Sequence, residues 1–325
     1  MELICPAGTP AALRAAVEAG ADAVYCGFRD ETNARNFPGL NFSREELRQA
    51  IALAHRHGVK VLVAINTFAR AGALSLWRAA VDDAVAAGAD ALILADVGVL
   101  DYAATRHPEQ RLHLSVQAGA ANADAIRFYI ESFGVRRVVL PRVLSVPEIA
   151  AVVREANCET EVFVFGGLCV MEEGRCSLSS YATGKSPNMQ GVCSPASHVA
   201  YEQVNRRTVS RLGGFTMNAF EKGEPVGYPT LCKGRFATEH GTGYIFEEPV
   251  SLDAATMLPG LQKAGVTALK IEGRQRGRAY VAEVVRSFKR AIAALDEGRT
   301  IEAQGLNRMT EGQTTTVGAY RKTWR

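Results

Sequence analysis

The sequence predicts a (β/α)8 barrel of the TIM type, and two observations indicate it. Short apolar runs rich in Val, Ile and Leu repeatedly follow a glycine, as at Gly20, Gly88, Gly134 and Gly265. Glycine ends helices because it readily takes the left-handed conformation, and such runs are typical of strands buried on both faces. The second observation is that eight predicted strands alternate with eight predicted helices. A doubly wound open sheet is the alternative, but no GxGxxG follows the first strand.

The predicted elements follow one another in a regular order. The strands are expected at residues 3–5, 23–26, 61–65, 91–94, 112–115, 137–140, 161–165 and 268–271. The helices are expected at residues 10–19, 44–57, 74–87, 97–106, 123–133, 146–155, 252–264 and 277–297. Ser43 with Glu46 has the pattern of a capping box at the start of the second helix. Ser251 is expected to open the seventh helix in the same role.

A long segment between the seventh strand and the seventh helix contains four of the seven cysteines, Cys169, Cys176, Cys193 and Cys232. Glycine, proline and small polar residues surround each of them, which is typical of loops. We therefore predict a loop-rich, cysteine-bearing insertion after strand seven. The expected domains are 1–165 for barrel strands one to seven, 166–250 for the insertion, 251–298 for barrel completion and 299–325 for a polar tail.

The four cysteines are candidates for one metal centre, because thiols on irregular backbone can converge on a point. Their spacing is C-x6-C-x16-C-x38-C. Structural zinc usually takes cysteines in pairs two to four residues apart, whereas iron–sulfur clusters accept scattered cysteines. We favour iron–sulfur over zinc. Four unconnected buried thiols remain an alternative, and a disulfide pair is a further one.

Polar residues at the ends of other strands are candidates for chemistry, because barrel enzymes place their active sites there. Arg35, Arg142 and Arg274 are expected to form a ring suited to carboxylates. Glu272 could pair with one of them or transfer a proton, and Asn36 belongs to the same candidate pocket. Asn66 and Asp96 could belong either to the site or to the supporting structure. His113, Cys5 and Cys26 are expected to be structural. Cys158 is expected to have no role.

Composition narrows the class of protein. Of the 325 residues, 47% are hydrophobic and 22% charged, as in an ordinary globular protein. The net charge of +3 gives no electrostatic argument for nucleic-acid binding. No apolar stretch reaches the roughly 18 residues of a membrane span, and the start of the sequence has no signal-peptide pattern. We expect a cytoplasmic protein with reduced thiols.

Several motifs together resemble a known family. CPAG at the start, NARNFPGLNF after the second strand and KIEGRQR after the eighth are similar to the collagenase-like peptidase family. The segments GLCVMEEGRCSLSSYATGKSPN, GVCSPA and GYPTLCKGR narrow the resemblance to its UbiU-like branch, which acts in oxygen-independent ubiquinone biosynthesis. The likeness covers nearly the whole chain and is weakest around residues 205–225.

The resemblance implies an activity and a cofactor. It implies that Cys169, Cys176, Cys193 and Cys232 ligate a [4Fe–4S] cluster, and that the chain is one subunit of a hydroxylase acting without dioxygen on the prenylated aromatic ring of ubiquinone precursors. The implied partner is a UbiV-like iron–sulfur protein in a heterodimer, with a lipid carrier as a route for substrate delivery. Related members hydroxylate RNA bases with oxygen from prephenate, which implies prephenate as an oxygen donor here.

Other functions stay open at this point. An RNA-base hydroxylation protein of the same family is the first alternative, although the low net charge disfavours it. A non-catalytic, cluster-bearing scaffold is the second. A functional peptidase is not expected, because no nucleophile with a plausible base appears at the usual spacings.

Overall fold

Eight parallel strands form a closed barrel in the computed structural model, which describes residues 1–301, 305–310 and 314–321. The eighth barrel strand pairs with both the first and the seventh, which closes the ring. The predicted TIM-type fold is therefore confirmed. The barrel strands are β1 (Glu2–Pro6), β2 (Ala23–Gly27), β3 (Lys60–Ile65), β4 (Ala91–Leu94), β5 (Leu112–Leu114), β6 (Arg137–Val139), β7 (Glu159–Gly167) and β14 (Ala268–Ile271).

Helices follow the strands on the outside of the ring, within one or two residues of most predicted bounds. They are α1 (Pro10–Glu18), α2 (Arg44–Arg56), α3 (Leu74–Ala86), α4 (Val97–Arg106), α5 (Ala123–Phe133), α6 (Val146–Ala156), α8 (Leu258–Lys263) and α9 (Arg278–Asp296). Ser43 forms the predicted capping box with Glu46. No described helix has the length and apolar character needed to cross a bilayer.

Two sets of buried side chains alternate along the strands. The larger set includes Leu3, Trp77 and Phe288 and fills the space between strands and helices. The smaller set includes Ile4, Leu62 and Ile93 and fills the inside of the barrel. Ala268 of β14 belongs to the smaller set. Because every second residue of a strand faces the same side, Lys270 also points inside the ring, where it is buried.

One predicted helix boundary is wrong. Residues Ser251–Asp253 form strand β13, which runs antiparallel to the end of β7, with Leu252 opposite Gly166. The helix starts only at Leu258, after a short 3-10 turn. Ser251 therefore lies in a strand and caps no helix. Pairing with β7 satisfies the backbone and buries Leu252, so that extended structure is preferred over helix here.

The cysteine-bearing segment contains more regular structure than its composition indicated. Besides α7 (Leu178–Thr183), it has a three-stranded antiparallel sheet of β8 (Val199–Val204), β9 (Arg207–Leu212) and β10 (Phe215–Phe220). A hairpin of β11 (Arg235–Thr238) and β12 (Gly241–Tyr244) follows. The proposed domain boundaries at residues 165, 250 and 298 stay a prediction.

The C-terminal segment returns to the barrel. Strand β15 (Thr315–Thr316) pairs with β13, and the buried Tyr320 hydroxyl donates a hydrogen bond to the Phe163 carbonyl of β7. Parts of the predicted tail, at positions 302–304, 311–313 and 322–325, lie outside the described residues.

Candidate functional site

Two adjoining cavities lie at the carboxyl ends of the barrel strands. The smaller, about 40 Å³, is called here the mouth cavity; among the polar and charged residues that line it are Tyr25, Lys270 and Arg274. The larger, about 820 Å³, is called the cysteine cavity. Four residues line both cavities and so form their common wall: Arg35, Gln117, Arg142 and Glu272.

The structure brings the four predicted cysteine ligands to one cavity. Cys169, Cys176 and Cys232 are partly buried, and Cys193 is exposed along the cavity that all four line. Burial and the nearby Glu173 raise the pKa of the Cys169 thiol to about 12. Burial raises the pKa of Cys232 to about 11. A metal centre bound here would therefore have to displace thiol protons, as metals bound by cysteine generally do.

The spacing of these thiols bears on the kind of metal they could hold. Among the described residues, no group of three or more His, Cys, Asp or Glu side chains is close enough to hold a single metal ion. Four sulfurs at about 2.3 Å from one zinc would lie only about 3.8 Å apart. The corners of an iron–sulfur cube hold their cysteine sulfurs farther apart, so a wide cavity with four thiols fits a cluster better than zinc. The [4Fe–4S] assignment stays a prediction.

Two glycines let the cysteine loops rest directly on the barrel loops. A Cβ on Gly174, which has φ +82°, would lie 1.8 Å from the Gln117 carbonyl oxygen. A Cβ on Gly191, with φ +81°, would lie 2.3 Å from the Asn33 carbonyl oxygen. Only residues without a side chain allow backbone to approach this closely. The loops after β2 and β5 therefore support the segment between Cys169 and Cys193.

Glu272 is a buried carboxylate between two elements of the site. It accepts a hydrogen bond of 3.0 Å from the Gly167 amide at the end of β7. Its other oxygen lies 3.6 Å from Nε of Arg35. Burial raises the pKa of Glu272, but the charges of Arg35 and Arg142 outweigh burial and lower it overall. The group is therefore ionised at neutral pH and can accept a hydrogen bond or a proton.

Arg142 is largely occupied by contacts within the protein. Its Nε donates to Glu173 at 2.7 Å, and both side chains are buried. Its Nη1 donates to the Gly167 carbonyl, and its guanidinium lies 3.9 Å from the centre of the Phe163 ring. Arg142 thus ties the Cys169–Cys176 loop to the barrel and has less capacity for a ligand than the predicted arginine ring required.

Arg274 is the arginine best placed to receive an anion. It is 5% exposed, donates to the Asn33 side-chain oxygen at 2.5 Å and lies 5.3 Å from the centre of the Tyr25 ring. Burial and the like charge of Arg35 lower its pKa to about 10. Within the part of the chain that the structure describes, no carboxylate lies within 4.0 Å of Arg274, whereas Arg35 and Arg142 each have one.

Asn33 contacts the arginines of the site, and no such contact is seen for the predicted Asn36 in the described structure. The Asn33 side chain is fully buried, and its oxygen accepts from Arg274 and from the Arg35 amide. Asn36 is half-buried, and neither asparagine is among the residues that line the cavities. Asn33 belongs to the site through its hydrogen bond from Arg274 and not by lining a cavity.

Lys270 lines the mouth cavity and is a site residue beyond the predicted set. Its ammonium donates to Glu161 at 2.5 Å and lies 3.8 Å from the centre of the Tyr25 ring. A signal was present in the sequence, because Lys270 and Glu272 are two apart and neighbouring inward positions of a strand have that period. Gln117, whose side-chain oxygen is buried without a hydrogen bond in the described structure, is a second residue of the site beyond the predicted set.

Asn66 and Asp96, which the sequence left open, and His113, which was expected to be structural, all have contacts within the protein. Asp96 caps α4 by accepting from Val99 and also accepts from Ala69. Asn66 accepts from the Ala34 amide and donates to Ser115, both at 3.1 Å, and lines the mouth cavity. His113 is buried and accepts from Arg111. Burial and the cations Arg137 and Arg111 hold the pKa of His113 well below its usual value.

The contact at Gly174 gives a testable prediction. Gly174 and Gly184 both have positive φ, and a Cβ on Gly184 would meet nothing within 4 Å. Both Gly→Ala variants should have a free energy of unfolding lower by roughly 1 kcal/mol, because alanine is strained at positive φ. For Gly174→Ala the free energy of unfolding should fall by about 2 kcal/mol more, because its Cβ would clash with fixed backbone. Denaturant unfolding of the two variants measures the difference. Equal losses would mean that the cysteine loop does not rest on the loop after β5.

Comparisons with known proteins identify the family. A family model described as Peptidase family U32 matches residues 8–321. The tRNA hydroxylation protein P of Escherichia coli (strain K12) is 34% identical over 331 residues, which cover 94% of this chain and 70% of that protein. A protein named collagenase from Porphyromonas gingivalis is 31% identical, over 95% of this chain and 69% of that protein.

A ribosomal RNA enzyme is also similar. The 23S rRNA 5-hydroxycytidine C2501 synthase of E. coli is 29% identical, over 96% of this chain and 42% of that protein. These matches confirm the resemblance at the level of the family and do not identify the UbiU-like branch. The chain is a member of peptidase family U32.

Proposed function

We propose that this chain is the iron–sulfur subunit of a dioxygen-independent hydroxylase that acts on the aromatic ring of ubiquinone precursors. The observation that carries the proposal is the common wall of the two cavities. Four thiols line the cysteine cavity on one side of this wall, and the ionised Glu272 belongs to the wall itself. Arg274, which has no carboxylate within 4.0 Å among the described residues, lines the mouth cavity on the other side. The names of the relatives, two of which describe hydroxylation of RNA, support a hydroxylation reaction.

The lining of the cysteine cavity supports a substrate with a large apolar part. Many of the side chains around it are apolar, including Phe37, Leu40, Leu168, Met171, Leu178, Val226 and Leu231. A prenylated aromatic ring would bury apolar surface against them, which favours binding at about 25 cal/mol per Å². The same surface would exclude water from the reacting ring. The choice of a ubiquinone precursor and of a UbiV-like partner in a heterodimer rests on the resemblance described above.

The mouth cavity supports a site for one carboxylate group of an anionic oxygen donor, the rest of which would lie in the adjoining cysteine cavity. A carboxylate bound by Arg274 would neutralise a buried guanidinium, and planar guanidinium binds carboxylate through two parallel hydrogen bonds. Prephenate, a dicarboxylate, is the donor that the resemblance implies. Glu272, held ionised by its neighbours, would accept a proton released in the reaction. A [4Fe–4S] cluster held by the four cysteines would supply one-electron redox chemistry.

RNA-base hydroxylation is the second candidate, and the names of the relatives favour it. The surface of the β8–β10 sheet does not add support. The two arginines within its strands pair with glutamates: Arg211 pairs with Glu202 at 3.0 Å, and Arg207 pairs with Glu221. Binding to phosphate groups depends on basic residues that are free to contact them. A non-catalytic cluster-bearing scaffold is the remaining alternative and predicts no loss of product when mouth-cavity residues are replaced.

Iron content tests the cofactor. Protein purified without air should contain about four irons and four sulfides per chain. Cys→Ser at any of positions 169, 176, 193 and 232 should remove most of the iron, because serine is a poor iron ligand. Cys158→Ser is the matched control, since Cys158 packs against the core and is not among the residues lining the cavity. A colourless wild-type protein with one zinc would contradict the proposal.

Arg274 tests the mouth cavity separately from the cluster. Arg274→Ala, expressed in a deletion strain, should reduce the amount of hydroxylated product at least about 100-fold. Without the guanidinium the oxygen donor would be misplaced, and misplacement of a reactant slows a reaction by about this factor. Its iron content should stay at the wild-type level. Arg278→Ala, an exposed arginine at the start of α9, is the control and should leave both unchanged. Full product with Arg274→Ala would remove the pocket from the mechanism.

Metabolite profiling separates the two hydroxylation functions. A deletion strain of the source organism, grown without oxygen, should accumulate non-hydroxylated ubiquinone precursors and keep its modified nucleosides. Mass spectrometry of quinones and of digested RNA measures both from one culture. Normal quinones together with a missing hydroxylated nucleoside would establish the RNA function instead.

A further inference from the structure

Arg35 lies where the two cavities meet. It follows β2 in a loop, lines both cavities, and its side chain is 28% exposed. Its Nη1 donates to the Ala34 carbonyl at 2.9 Å. Its contact with Glu272 is 3.6 Å, which is longer than a normal hydrogen bond. Much of the guanidinium is therefore free to face the cysteine cavity.

The loop of Arg35 and the loop of Cys193 are in direct contact. Gly191, two residues before Cys193, approaches the backbone of Asn33 and Ala34 so closely that its Cβ would lie 2.3 Å from one and 3.2 Å from the other. Arg35 also lines the same cavity as all four cysteines. The cation of Arg35 therefore faces the cavity beside the loop that contains Cys193.

Glu272 lies next to Arg35 in the common wall and is held by backbone contacts. It accepts from the amide of Gly167, two residues before Cys169. A Cβ on Gly166 would lie 2.4 Å from the Glu272 carbonyl oxygen, so the two backbones are packed together. The positive side chain of Arg35 and the negative side chain of Glu272 therefore both have fixed positions beside the cysteine cavity.

We propose that the positive charge of Arg35 raises the reduction potential of the cluster. The negative charge of Glu272 lowers this potential. This inference rests on the proposed cluster. A cluster with four thiolate ligands is negatively charged and becomes more so on reduction. A fixed cation in a partly enclosed cavity stabilises that added charge, and a fixed anion destabilises it. Arg35 and Glu272 would therefore set the potential in opposite directions.

Redox titration of the holoprotein, followed by electron paramagnetic resonance, tests the inference. At the midpoint potential of the wild type, Arg35→Gln should lower the ratio of reduced to oxidised cluster about tenfold, which is a shift of 59 mV for one electron. Glu272→Gln should raise the ratio, because it removes a negative charge of the same neighbourhood. Shifts of the two variants in the same direction would overturn the inference.

Two further variants separate charge from structure. Arg35→Lys keeps the cation and should leave the ratio within about twofold of wild type. Arg276→Gln removes an equal charge from the same cavity, but Arg276 is exposed and screened by water, so its ratio should also stay within about twofold. A tenfold change in either variant, or none in Arg35→Gln, would overturn the role of Arg35.

The iron and sulfide content of the wild-type protein tests the cluster separately from the role of Arg35. Wild-type protein without iron and sulfide would refute the proposed cofactor. Wild-type protein with about four irons per chain and an Arg35→Gln potential equal to wild type would refute only the role of Arg35.

Discussion

Compensation of buried charge determines how the mouth of this barrel is built. Glu161 and Lys270 pair inside the ring, Arg142 pairs with Glu173 above it, and Glu272 lies between Arg35 and the Gly167 amide. An uncompensated charge in such a place is strongly destabilising. Each pair also joins elements that are distant in the chain. The same contacts that neutralise the site therefore hold the cysteine segment on the barrel.

Arg274 is the exception to this pattern in the described structure, and the exception has chemical meaning. Its hydrogen bond to Asn33 satisfies part of the guanidinium but supplies no negative charge. Burial disfavours the cation and lowers its pKa. Strain of this kind is typical of sites where a ligand completes the charge balance. The arrangement favours a substrate or donor that brings its own carboxylate to the mouth cavity.

The barrel could be predicted because its signals are local. Helix-ending glycines, the Ser43 capping box and apolar strands each depend on a few neighbouring residues. The error at Leu252 has the opposite cause, since its partner Gly166 lies far back in the chain. The four cysteines could be grouped by their loop setting, whereas the choice of Asn33 over Asn36 depended on a turn. The commitment of Arg142 to Glu173 could not be predicted, because Glu173 lies in a loop whose path is not local information.

The pairing of β15 with β13 has a consequence for the solubility of the chain. Strand β13 stands at the rim of the sheet, between β7 and β15. The short C-terminal strand occupies amide and carbonyl groups that would otherwise be open to an extended segment of a neighbouring molecule. Strand β15 is then the last strand of the sheet and is only two residues long. The edge that remains open to another extended chain is therefore very short, which disfavours intermolecular strand addition.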